Sequence, residues 1–180
     1  MDVLQTLEML PVGADDHVLG AADAPASLVE YGDFECPHCG ETHRALKPVR
    51  QVMGRRLRFV FRHFPLRAAH PHALHAAAFA EAAAGSGQFW AAHDLLYTHQ
   101  RALDDASLVA YGRTLGIEHA DVLAALGGRY DEKIRRDFIG GVRSGVNGTP
   151  CLFIDGQRYD GPRDQKSLVE VLESVARTYA

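Results

Sequence analysis

Cysteine is scarce in this chain, with three residues in 180. That is too few, and an odd number, for the disulfide framework that holds small secreted domains together. Long apolar runs are also missing. No stretch approaches the roughly 18–20 residues that cross a bilayer, which argues against membrane insertion. Charge is modest, −4 from 19 basic and 23 acidic residues, so composition offers no basic footprint for nucleic acid or an anionic membrane surface. Internal repeats and low-complexity tails are lacking too. The opening residues, MDVLQTLEMLPVGADD, have no basic first segment, no apolar stretch and no small-residue cleavage site, and do not read as a signal peptide. The expectation is a cytoplasmic location for the sequence as it stands, or an extracytoplasmic one if a leader has been removed. What is present is a globular composition, 47% hydrophobic and 23% charged, enough for one domain with a substantial core.

Ala26–Asp33 (ASLVEYGD) is an apolar run with one acidic residue, Glu30, in its middle. Such a run predicts a central strand covered on both faces. Pro37 favours a helix start, and the helix is expected to reach Gly54 with a kink at Pro48. Leu57–His63 (LRFVFRH) alternates and predicts a second strand, completing a right-handed β-α-β unit. From His70 to about Gly127, alanine-rich stretches broken by GSG, LDD and GIEH predict several short helices. Arg129–Arg143 adds another helix, with Tyr130, Ile134, Phe138 and Val142 on one stripe. After GVNGTP come CLFID, an Asp155-Gly156 turn and RYDG, a β-hairpin. Asp164–Tyr179 closes the chain as an amphipathic helix capped by Asp164, burying Leu168, Val171, Leu172 and Val175. The expected fold class is α/β: a four-stranded core sheet in β-α-β and β-β-α halves with an inserted α-helical subdomain. The whole chain, 1–180, is read as a single domain, with core segments 25–65 and 128–180 and the insertion at 66–127.

The stretch FECPHCG, Phe34 to Gly40, spaces two cysteines three apart. Such a pair can form a reversible disulfide, supply half a zinc site, or simply be two core thiols. Position adds information. Cys36 precedes a helix, where unpaired N–H groups and the positive end of the macrodipole favour thiolate over thiol. The thiolate is the nucleophile. Cys39 lies one turn on and can resolve a mixed disulfide, while His38 between them can support the Cys36 thiolate. The third thiol, Cys151, sits on an apolar strand and reads as an inert buried residue. His70, His72 and His75 invite a metal reading, but no second matched ligand pair follows, and no metal is expected. Phe89 and Trp90 read as core aromatics of the insertion.

The phrase VEYGDFECPHC, the segment QFWAAHDLL and the approach GVNGTPCLFIDG together resemble the DsbA-like branch of the thioredoxin superfamily, over nearly the whole chain. The resemblance implies a thioredoxin fold and a thiol–disulfide oxidoreductase with no cofactor beyond a redox-active Cys36–Cys39 disulfide. Cys36 would attack and Cys39 resolve. It further implies a cis peptide bond at Pro150, in a loop packed against the sulfurs. The Thr149 backbone there would take an extended substrate strand, with Pro37 and Phe34 completing the substrate-binding set. Glu30 matches the buried carboxylate common in this superfamily. Its pKa is expected well above about 4.3, so that it can take the Cys39 proton. Arg62 on the neighbouring strand is the nearest candidate ion-pair partner. CPHC is the motif of the oxidising prototype, with a potential near −120 mV against about −270 mV for thioredoxin. The expected activity is therefore oxidase or isomerase. Expected partners are cysteine-containing protein substrates and an unidentified redox-recycling partner. The rival readings are a cytoplasmic thiol/disulfide reductase and a zinc-binding, non-catalytic module.

Overall fold

The computed structural model describes residues 9–178. The part of the leader reading that falls on residues 1–8, and the helix end placed at Tyr179, lie outside the described residues. The elements are β1 (His17–Leu19), β2 (Ala26–Gly32), α1 (Pro37–Met53), β3 (Leu57–His63), α2 (Ala73–Gly85), α3 (Phe89–Thr98), α4 (Asp105–Leu115), α5 (His119–Leu126), α6 (Asp131–Arg143), β4 (Cys151–Ile154), β5 (Gln157–Tyr159) and α7 (Gln165–Thr178). Among the described residues no helix is long and apolar enough to cross a membrane.

The expected β-α-β and β-β-α halves are present in one sheet of order β1-β3-β2-β4-β5. The sheet has five strands rather than four. The extra strand, β1, pairs antiparallel with the outer edge of β3, and its three residues are too short to show any alternation in sequence. β2 and β3 run parallel, joined through α1, and β4 returns antiparallel to β2. β2 is apolar throughout because both its faces are covered. On one face Leu28 meets Leu46, Val49 and Met53 of α1 and Leu168 and Leu172 of α7. On the other, Val29 and Tyr31 meet Val60, Phe64 and Phe153, and Phe138 of α6 stacks on Phe64 with centroids 4.2 Å apart. The helices between β3 and β4 close a third apolar cluster, which includes Phe61, Phe79, Phe89 and Leu96 and reaches Cys36 and Cys39.

Local chemistry explains several boundaries. α1 begins on Pro37, runs unbroken through Pro48, and ends at Gly54, whose φ of 51° favours glycine. In the hairpin turn Asp155 and Gly156 have φ of 46° and 80°, the two positive values a type I′ turn requires. Asp164 caps α7 through the Ser167 N–H at 3.0 Å. The α6 stripe is only partly interior: Ile134 is buried, whereas Val142 is 52% exposed.

Two buried ionic clusters join elements distant in sequence. Glu81 of α2 accepts hydrogen bonds on Oε1 from His17 and His63, both at 2.7 Å, tying the inserted helices to the sheet. Arg62 donates to both oxygens of Asp16, at 2.7 and 2.8 Å, and to the Tyr31 hydroxyl at 2.8 Å. The expected pairing of Arg62 with Glu30 is therefore corrected. Arg62 lies opposite Tyr31 in the β2–β3 register, so its side chain leaves the sheet on the face away from Glu30.

Candidate active site

Cys36 is the N-cap residue of α1, with extended backbone (φ −70°, ψ 121°) and no capping bond from its own side chain. The loop before it is held by Asp33, which the sequence pattern alone did not single out. The Asp33 carboxylate is buried and accepts from the Glu35 N–H (2.8 Å), the Leu66 N–H (2.8 Å) and the His70 ring (2.7 Å), while its carbonyl accepts from the Cys36 N–H (3.2 Å). An aspartate directly after a strand is a turn signal that could have flagged it.

The two thiols are pushed apart electrostatically. The Cys36 thiol is lowered from 9.0 to about 5. The largest cause is the hydrogen bond from the Cys39 thiol; burial opposes it, and the Thr149 hydroxyl and the Cys39 and His38 backbone N–H groups reinforce it. Cys39 has no exposed surface. Burial holds it well above its ordinary value, aided by its bond to Cys36 and by the Glu30 and Cys36 charges. The thiolate therefore belongs to Cys36 and the proton to Cys39. Across the sulfurs the Thr149–Pro150 peptide is cis. The neutral Cys36 thiol donates to the Thr149 carbonyl at 3.5 Å, and the buried Thr149 hydroxyl has no other protein partner. Glu30 is fully buried, with neither oxygen hydrogen-bonded. Burial pushes its carboxyl up to about 8, with the Arg50 and Arg163 charges pulling down and the Cys36 charge adding to the rise.

This geometry has counterparts among known proteins. The family model described as "Thioredoxin" matches residues 13–174. The chain belongs to the thioredoxin family. Solved structures sharing the fold include BdbD from Bacillus subtilis (TM-score 0.84, 19% identity, covering 94% of this chain and 97% of that one). Wolbachia pipientis alpha-DsbA1 is similar (TM-score 0.84, 18% identity, 97% of each chain). So is MdbA, a thiol-disulfide oxidoreductase from Corynebacterium diphtheriae (TM-score 0.72, 21% identity, 88% of this chain and 89% of that one). Among curated proteins, the Na(+)/H(+) antiporter NhaA 3 of Salinispora tropica is 41% identical over 169 residues, 93% of this chain but 26% of that protein. The chain thus spans about a quarter of the length of the curated relatives it matches.

Within this thioredoxin-family site the expected residues take different positions. Cys36, Cys39, Glu30, Thr149 and Pro150 converge, and Pro37 is exposed beside them. Cys36 is less open than a free helix start, at 4% exposure, because the Thr149–Pro150 loop lies against it. The His38 ring is corrected: it turns outward, 74% exposed, with Nδ1 3.4 Å from Glu41, and His38 reaches Cys36 through its backbone N–H. Phe34 is corrected too. It is 1% exposed and stacks on Phe61 at 5.2 Å, so it forms the floor of the site and presents no surface to a substrate. Cys151 is buried apart from the pair, among Tyr31, Phe64 and Phe153, and burial raises its thiol. His70, His72 and His75 do not converge. His70 binds Asp33, the His72 N–H binds Glu35 (2.7 Å), and His75 binds Asp105 (2.6 Å).

Gln100 was invisible in the sequence. Its Nε2 donates to the carbonyls of Phe34 (2.9 Å) and Cys36 (2.8 Å), fastening the loop after α3 onto the CPHC turn. Gly40 makes room for it, since a Cβ there would collide with the Gln100 carboxamide.

Proposed function

We propose that the chain is a thiol–disulfide oxidoreductase of the oxidase or isomerase type, transferring its Cys36–Cys39 disulfide to cysteines of protein substrates. A substrate thiolate attacks the Cys36 sulfur, the Cys36–Cys39 bond breaks, and Cys39 leaves with the electron pair and takes up a proton, for which Glu30 is the nearest buried donor. A second substrate thiolate then attacks the substrate sulfur of the mixed disulfide and expels Cys36 as thiolate. The substrate is oxidised by two electrons and the CPHC pair is reduced. An oxidising partner, unidentified by this chain, must restore the disulfide. In the reverse direction Cys36 attacks a wrong disulfide and Cys39 releases it, which is isomerisation when another pairing follows. The Thr149 backbone beside cis Pro150 offers a strand-like edge for an extended substrate segment.

The observation that carries this reading is the asymmetry of the two thiols. A Cys36 value near 5 favours the folded dithiol at pH 7 by roughly 3 kcal/mol over an ordinary thiol, or about 60 mV toward an oxidant. A low-pKa leaving sulfur also speeds release of the oxidised substrate. Such a couple is useful where thiols are not held reduced, so the reading favours an extracytoplasmic setting over the cytoplasmic one expected first. The deciding measurement is the Cys36–Cys39 potential against glutathione. A value of about −120 to −180 mV supports an oxidant or isomerase, and one near −270 mV turns the assignment to a reductase.

A further inference from the structure

The redox site does not use a second group of side chains that lies between α1 and α3. His43 is one helical turn beyond Cys39 on α1, and His93 and Asp94 are adjacent on α3. His43 Nε2 lies 3.6 Å from Asp94 Oδ1, too far for a hydrogen bond. His93 Nδ1 lies 3.4 Å from the same oxygen, at the long limit of one. One ligand atom from each residue lies within 4.8 Å of the others. Nitrogen and oxygen donors on a tetrahedral ion with bonds of about 2.0–2.1 Å are spaced about 3.3–3.4 Å apart, close to what is seen here. The other cluster of this kind among the described residues, His17–His63–Glu81, behaves oppositely. Its 2.7 Å separations are those of hydrogen bonds and leave no space for an ion.

We infer that His43, His93 and Asp94 form a binding site for a single divalent transition ion of the zinc type, bridging the redox helix to the inserted helices. An independent observation supports it. His43 is 5% exposed and its Nε2 is buried without any partner, with the Asp94 oxygen opposite. Buried polar atoms are rarely left so, and an ion would satisfy this one. The protonation states suit ligation. Burial, helped by their mutual repulsion, keeps both imidazoles near 4, so their lone pairs are free at neutral pH. Asp94, although burial opposes it, is held at about 2 by His93, His43 and Lys47, and is ionised. Two cations already compete for that carboxylate, Lys47 at 3.5 Å and Arg50 at 3.8 Å. Lys47 is half exposed and can swing into solvent, whereas Arg50 is anchored over the Phe59 ring and stays. An ion here keeps an open fourth position on the side of Asp94, whose side chain is 38% exposed.

The experiment uses the disulfide form of the whole protein, in which Cys36 and Cys39 cannot act as ligands. Titration with Co2+ should give the visible bands of a tetrahedral N/O site at one equivalent, without a thiolate charge-transfer band, and Zn2+ should displace them. Asp94→Asn should weaken Zn2+ binding about 10–100-fold, and His43→Asn should do the same or more. His17→Gln, in the hydrogen-bonded cluster, should leave the affinity unchanged. No binding at about 100 μM ion, or equal binding by the parent and Asp94→Asn, overturns the assignment. Loss of binding in His17→Gln but not in Asp94→Asn moves the ion to the other cluster and equally overturns it. Asp94 is partly exposed, so its variant can be checked for an unchanged circular-dichroism spectrum, and the site stands or falls on that variant whether or not His43→Asn folds.

Discussion

Replacing Glu30 with glutamine tests the buried carboxyl directly. In the folded chain this group has no exposed surface and no hydrogen-bond partner, and it titrates at about 8 against an ordinary 4.5. Below about pH 4.5 it is neutral in both folded and unfolded chains and costs nothing through ionisation. Between 4.5 and 8 the unfolded chain releases the proton while the folded chain keeps it, so stability falls by up to about 1.4 kcal/mol per pH unit. By pH 7 the accumulated cost is roughly 3 kcal/mol, and above pH 8 it levels off near 5 kcal/mol. Glu30→Gln removes this pH-dependent part. It leaves a fixed cost of about 1–3 kcal/mol for burying an unpartnered amide, close to what the neutral acid already bears. The expected result in urea unfolding of the oxidised protein is near-equal stability at pH 4 and a variant more stable by about 1–3 kcal/mol at pH 7. The gap should widen steadily between those limits. A difference that stays flat from pH 4 to 8 refutes the reasoning, because Glu30 would then titrate alike in both states. A variant less stable at every pH refutes it as well. In rapid-quench experiments the same variant should slow resolution of the mixed disulfide by Cys39 while leaving the first attack by Cys36 intact.

Alkylation of the reduced protein by iodoacetamide at pH 6 should label Cys36 far faster than Cys39 or Cys151. The rate should fall with a midpoint near pH 5 as the thiolate is protonated. Cys39→Ser should accumulate mixed disulfides through Cys36 when mixed with a reduced, unfolded substrate, seen as adducts on non-reducing gels; none should form in Cys36→Ser. Cys151→Ala should move the potential by less than about 30 mV, since that thiol packs away from the pair; a larger shift would couple it to the pair's energetics. Gln100→Ala should cost about 1–3 kcal/mol by orphaning two loop carbonyls. Gly40→Ala should reproduce that loss by expelling the carboxamide, and the double variant should be less than additive; full additivity in the urea midpoints would show that the two residues act separately.

The sequence by itself determined what short-range chemistry encodes. The apolar run of β2, proline at the start of α1 and the Asp155-Gly156 turn each act within a few residues, and all appear where they were expected. The inward direction of Glu30 was legible for the same reason, since it shares the two-residue period of Leu28 on a strand covered on both faces. Tertiary structure decided whatever depends on register and on chain returning from far away. Arg62 is a neighbour of Glu30 in strand order but not in side-chain direction; the β2–β3 register sends it to Asp16. Phe34 lies beside the cysteines in sequence, yet the inserted helices close over it and turn it into floor. His38 contributes its N–H and not its ring because the first turn of α1 points that ring at solvent. Gln100 reaches the CPHC turn across more than 60 residues, and His43 meets His93 and Asp94 only because α3 packs on α1. No local pattern marks such residues, because the partner that gives each its role is supplied by the folded chain.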